Sequence, residues 1–295
     1  MHRLRYKKLK ALGLSRPPSQ IAVAMTRLLT YQDHSVADLC HIVQSDPEMA
    51  DYVLKFVNST SLNHRRPIAY LPMAMMCLDT FQVRGLVLGL SLFQTYKNAR
   101  NNYLDANLFW SRSLATAMIN YELAAHAKID AIEGFAAGLL AGMGELLMVI
   151  LYSKEYAALS AHAKDSNLSL LEYDRFGFDR NELSEHFLNE WGLSKGIVYA
   201  VCNQDNPDIV DFSVGLPCQH LALSLNFSRS LAQTFFMNND ERRILLPDVV
   251  KFAARLGISS EQLIQLIEHA IEGWHEWGRL LEIQSHYLPS FDAVL

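Results

Sequence analysis

Cysteine is scarce in this chain: four residues in 295, Cys40, Cys77, Cys202 and Cys218, with no C-x-x-C pair among them. Such scatter offers neither a zinc ribbon nor a dithiol redox motif, and it reads as reduced thiols in a reducing compartment. Long apolar runs are also lacking. The longest, Phe135 to Leu151, contains Glu145 and three glycines, and it falls short of the roughly 20 residues that a bilayer span requires. The N-terminal MHRLRYKKLKALGL starts basic but has no apolar core and no small-residue cleavage site, which excludes a secretory signal. A soluble, cytoplasmic protein without a membrane partner is therefore expected.

Charge of one sign is lacking too. Twenty-six Lys and Arg face 31 Asp and Glu, for a net charge of −5. No global basic field exists to draw in nucleic acid, which is not an expected partner. One local exception stands out: Arg3, Arg5, Lys7, Lys8, Lys10 and Arg16 all precede the first acidic residue. They form either a solvated or docked arm, or a contact for nucleic acid or an acidic partner.

Several chemistries are missing by motif. There is no G-x-S-x-G elbow, no G-x-x-x-x-G-K-[ST] loop, no G-x-G-x-x-G after a strand and no H-E-x-x-H. The eleven histidines are dispersed: His34, His41 and His64 lack helical pairing, and His126, His162, His186 and His220 are isolated. The glycines at 134, 138, 142 and 144 lie in a helical run and suit close helix packing better than a phosphate cradle.

What remains is hydrophobic, 50% of the chain, and its periodicity is helical almost throughout. Helices are expected over Gln20–Leu29, Val36–Gln44 (capped by Ser35) and from Asp46-Pro47 to Asn58, with Ser45 or Asp46 as cap. Asn58–Pro67 reads as a loop, followed by helices over Leu71–Leu78 and Gln82–Tyr96. The polar KNARNN stretch, Lys97 to Asn102, is the expected subdomain boundary. Beyond it the pattern predicts helices over Leu108–Ala127, Ala131–Leu151, Lys154–Lys164, Ser169–Arg175, Asn181–Trp191, Ser194–Cys202 and Pro217–Phe236. A last helix runs to about Leu281 behind a Ser259/Gln262 capping box. On that helix Trp274 and Trp277, with Ile271 and Leu281, form a stripe that either faces the core or offers a partner groove.

An ordered set of segments resembles the HD-related output domain (HDOD) family over roughly residues 15–210. It begins with the Asp46-Pro47 helix start, the Leu54…Asn58-Ser59 helix end and the Ile68…Leu71…Ala74…Leu78 helix. It continues through FWSRSLATAMINYELA, GFAAGLLAGMGELLMVIL and FDRNELSEHFLNEWGLSKGIVYAVCNQDNP. Asp79, where relatives carry Gly, is a minor departure. The resemblance implies an all-α fold: a basic arm (1–16), an N-terminal helical part (17–102), a part resembling the HD phosphohydrolases (103–215) and a C-terminal helical extension (216–295) packed on it.

HD hydrolases hold one or two divalent metals through His and Asp side chains, and the metal activates water for attack on phosphorus. By this resemblance the first His position is Arg112, in Trp110-Ser111-Arg112-Ser113. The His-Asp pair is Ala141-Gly142, the later Asp-His position is Asp179-Arg180, and the tandem His pair is Gln204-Asp205. Ala and Gly carry no ligand atom, and Arg repels a metal, so neither metal nor cofactor is expected. Arg112 and Arg180 either point together into the vacated pocket and hold an anion, or pair with Glu145, Asp179 or Asp205. The second reading answers the cost of burying charge whatever the function.

The resemblance also implies a non-catalytic role. HDOD modules are linked to bacterial sensory and regulatory systems, often fused to receiver or cyclic-dinucleotide domains. None is fused here, so input is expected in trans from another signalling protein. The competing readings are a hydrolase working through a different site and nucleic-acid binding through the basic arm.

Overall fold

The computed structural model describes residues 36–59, 67–78, 83, 87, 91, 103–161, 165–190, 193–207 and 215–285. The basic arm, the 20–29 helix, the Ser35 cap, residues 60–66 of the loop, most of the 82–96 helix, Asp79 and the 97–102 boundary lie outside them. Among the described residues every regular element is an α-helix. In chain order these are α1 (Val36–Gln44), α2 (Pro47–Ser59), α3 (Leu71–Cys77), α4 (Ala106–Ala127), α5 (Ala131–Leu140) and α6 (Met143–Ser160). Then follow α7 (Asp165–Phe176), α8 (Arg180–Glu190), α9 (Lys195–Asn203), α10 (Pro217–Thr234), α11 (Asn239–Arg255) and α12 (Ser260–Leu280).

Side-chain oxygens set many of the helix starts by accepting otherwise orphaned main-chain N–H groups. Asp46 takes this role on α2, accepting from Glu48 N at 3.0 Å and Met49 N at 3.1 Å. Ser45 instead turns back to the His41 carbonyl. Asp105 caps α4 and Ser194 caps α9. Ser259 and Gln262 form the expected reciprocal box on α12, at 3.2 and 2.9 Å.

The N-terminal helices α1, α2 and α3 pack on one another through Leu39, Val53, Val57, Leu71, Ala74 and Met75, all buried. Asn58 ties the end of α2 to the chain after the loop. Its Oδ1 accepts from Ile68 N at 2.7 Å, while its Nδ2 donates to the carbonyls of Ile68 and Leu54. Ile68 and Leu78 are both buried.

α4 is the axis of the second half. From Phe109 to Asn120 it is buried at every position but Arg112, as a helix apolar or small on all sides must be. Helices α5, α10 and α12 surround it. Gly138 lets α5 come close: a Cβ there would stand 2.4 Å from Ala117 Cα. At this crossing the buried Asn120 donates to the Gly134 carbonyl at 2.9 Å and accepts from the hydroxyls of Ser224 and Ser228 on α10.

The C-terminal extension docks on this half. Trp274 is fully buried and donates its indole N–H to the Ser111 carbonyl at 3.0 Å. Trp277 is buried against Phe135. The tryptophan stripe therefore faces the core.

Three segments differ from the sequence reading. The expected helix over Ala131–Leu151 breaks at Ala141-Gly142, and the chain restarts as α6, which absorbs the next expected helix and bends at Tyr152 (φ −132°, ψ 26°). α7 starts at Asp165, ahead of Ser169. α11 falls within the expected helical extension without having been delimited there, and it carries Pro247 in its interior; Asn238 and Glu241 build a full capping box at its start. The stretch 133–160 is apolar enough to cross a membrane, yet 78% of its most apolar window is buried within the protein.

Candidate functional site

The six positions implied as degenerate ligands lie on four different elements. Arg112 is on α4, Ala141 and Gly142 in the α5–α6 turn, Arg180 at the start of α8, and Gln204-Asp205 just past α9.

Ala141 and Gly142 are held by packing. The Ala141 carbonyl accepts from Gln204 Nε2 at 2.8 Å. Gly142 lies under the ring of Phe109: a Cβ added there would stand 2.8 Å from Cε2. An aromatic ring thus fills the space an aspartate side chain would need. Gln204 is 2% exposed, and its main-chain carbonyl accepts from Asn226 Nδ2 at 2.7 Å. Among the described residues no group of three His, Cys, Asp or Glu side chains could hold a metal ion. Ala141 and Gly142 offer no side-chain ligand atom, so these residues do not fit the metal that the family resemblance implies.

Arg180 sits in a cluster of charges. Its Nη1 lies 3.2 Å from Glu172 Oε1 and its Nη2 2.7 Å from Asp205 Oδ2. Its main-chain N–H donates to Glu172 Oε2 at 3.0 Å. Glu172, on α7, is fully buried and also accepts from Tyr156 Oη at 2.8 Å. On the far side Arg229 of α10 reaches Asp205 Oδ1 at 2.6 Å, and Asn181 Nδ2 donates to Asp205 Oδ2 at 3.2 Å. Four helices, α6, α7, α8 and α10, and the turn after α9 are thereby joined through one polar line whose charges alternate.

Burial raises the Glu172 carboxyl above its usual value despite the donors around it. Burial would also raise Asp205, but Arg229 and then Arg180 outweigh it and hold its carboxyl below the usual range. The Tyr156 phenol is pushed up by burial and by Glu172. Burial likewise pushes the Cys202 thiol up to about 12, far from a reactive thiolate.

The two arginines do not converge. Arg112 is exposed, with its guanidinium over the Phe236 ring at 5.5 Å. Of the acids expected to pair with Arg180, Asp205 does so. Glu145 is exposed and Asp179 instead caps α8, accepting from Glu182 N at 2.8 Å and from Ser169 Oγ at 2.5 Å. Glu172, Tyr156, Asn181, Arg229 and Phe109 were not singled out from the sequence. Arg229 had a readable signal, as the one charged side chain in α10. Glu172 had none, since an isolated acid on an amphipathic helix reads as solvent face.

A model of the HDOD domain family matches residues 16–207. Among solved structures, an HDOD domain protein of unknown function from Geobacter sulfurreducens superposes with a TM-score of 0.71 at 18% identity, covering 90% of this chain and 93% of that one. A candidate phosphohydrolase from Shewanella amazonensis SB2B gives 0.70 at 22% identity, covering 92% and 96%. The MmoQ response regulator of Methylococcus capsulatus strain Bath gives 0.51 at 26% identity, covering 86% and 97%. No curated protein matches the chain.

Proposed function

From the premise that this chain belongs to the HDOD domain family, we propose that it is a non-catalytic regulatory module that works in the cytoplasm by binding other signalling proteins. The observation that carries this is the state of the metal position. Two of the implied ligand positions, Ala141 and Gly142, have no side-chain ligand atom, and the Phe109 ring crowds the place of a Cβ on Gly142. A third, Arg180, is a cation neutralised by Glu172 and Asp205. Water activation by a metal has no foothold in such a site. The likeness to a response regulator supports the signalling half of the reading. Burial of the one long apolar stretch supports a soluble module.

The deciding experiment measures metal and turnover together. Purified protein is stripped, re-exposed to manganese, iron or zinc, analysed for bound metal and assayed on bis-p-nitrophenyl phosphate. Substoichiometric metal and no hydrolysis above buffer are expected. Stoichiometric metal with metal-dependent turnover would overturn the reading.

A further inference from the structure

Asp205 sits in the molecule as a bound anion would. Two guanidiniums, Arg229 Nη1 at 2.6 Å and Arg180 Nη2 at 2.7 Å, close on its two oxygens, and Asn181 Nδ2 adds a third donor at 3.2 Å. These donors come from α8 and α10, whereas the carboxylate comes from the turn after α9, which ends at Asn203. Cradle and occupant are thus on separate elements, and the occupant can leave without unwinding a helix. The cluster is also reachable: the side chains of Asp205 and Arg229 are 28% and 30% exposed, against 11% for Arg180 and none for Glu172. The Glu172 end is sealed and the Asp205 end opens to solvent.

Charge makes the same distinction. With Asp205 seated, two arginines balance two carboxylates. With it withdrawn, Glu172 alone balances the two arginines, leaving one net positive charge, and Arg180 Nη2 and Arg229 Nη1 lose the oxygens they now meet. Paired guanidiniums suit oxyanions, phosphate above all, because each offers a planar fork of donors.

We propose that Arg180, Arg229 and Asn181 form a phosphate-class oxyanion site that the protein's own Asp205 occupies as an internal competitor, so that binding an outside anion releases the turn after α9. The site differs from the one the sequence suggested: the second arginine is Arg229 on α10, and Arg112 takes no part. It rests on the non-catalytic reading only in that the anion is bound and not hydrolysed.

Titration calorimetry and thermal melts with inorganic phosphate test it, on wild type, Asp205→Ala, Asp205→Asn and Asp205→Ala/Arg229→Gln. An internal ligand seated in about nine molecules of ten weakens apparent affinity about tenfold. Asp205→Ala should therefore bind phosphate about tenfold more tightly than wild type, and adding Arg229→Gln should cancel the gain. Asp205→Asn keeps the shape without the charge and should show a gain of the same sign, which covers the case in which the alanine variant folds poorly. No gain in either single variant overturns the proposal. A parallel series with acetate should show the smaller gain; acetate matching phosphate overturns the phosphate assignment. Turnover of bis-p-nitrophenyl phosphate in the same samples would report failure of the non-catalytic reading, separately from failure of the cradle.

Discussion

The edge of the Phe109 ring stands 2.8 Å, at Cε2, from where the Cβ of a side chain on residue 142 would be. The consequence is that any side chain on residue 142 must displace that ring. Ala141→His/Gly142→Asp should overpack the turn and cost about 1–3 kcal/mol, without gaining stoichiometric manganese. Adding Phe109→Ala should relieve the clash in part. Thermal melts and metal analysis on the double and triple variants check this; a double variant as stable as wild type would show that Phe109 moves freely.

Arg180 is the partner of a carboxylate that has no access to water. Arg180→Met should cost about 3–5 kcal/mol, because it leaves Glu172 charged, buried and without its counterion. Glu172→Gln in the same background removes that charge and should recover most of the loss. Denaturant titrations of the two variants measure it, and an Arg180→Met protein as stable as wild type would show that the cluster contributes nothing.

The N-terminal helices depend on two small polar side chains. Asp46→Ala should cost about 1 kcal/mol through loss of the α2 cap. Asn58→Ala should cost more, about 1–3 kcal/mol, since it leaves both the N–H and the carbonyl of Ile68 without their partner. Melts of the single variants decide the order; Asn58→Ala costing less than Asp46→Ala would contradict it.

The two acids of the cluster pull in opposite directions with pH. Asp205 has its native value lowered, net of burial, by Arg229 and Arg180. Its contribution is therefore present above its ordinary value and lost as pH falls through the lowered one. Glu172 is raised by burial, so its contribution is present below its ordinary value and shrinks as pH rises through the raised one. Asp205→Asn should thus remove part of the acid lability of wild type. Stability profiles from pH 2 to 7 should converge at the acid end, and parallel profiles would refute the assignment.

Much of the fold was legible along the chain because helical periodicity, caps and breakers are local. The Asp46 cap, the Asn58 closure and the Ser259/Gln262 box each involve partners within ten residues. The bounds of α11 within the expected helical extension escaped because Pro247 masks a helix whose remaining signals are intact. The break at Ala141-Gly142 escaped because it sits in an apolar helical run, and the ring that packs against it, Phe109, lies more than thirty residues earlier on α4.

The amino-acid sequence by itself determined that this protein is helical, since periodicity and caps are local, and which side chains stand at the positions that the family resemblance implies. Only the tertiary structure decided which of those side chains meet. Which acid meets Arg180, and that Arg229 joins it while Arg112 faces solvent, depend on how α4, α7, α8 and α10 are turned about their axes. That rotation is set by close packing between helices distant in sequence, as at Gly138 against Ala117, and charge in the interior then pairs with whatever the packing brings near.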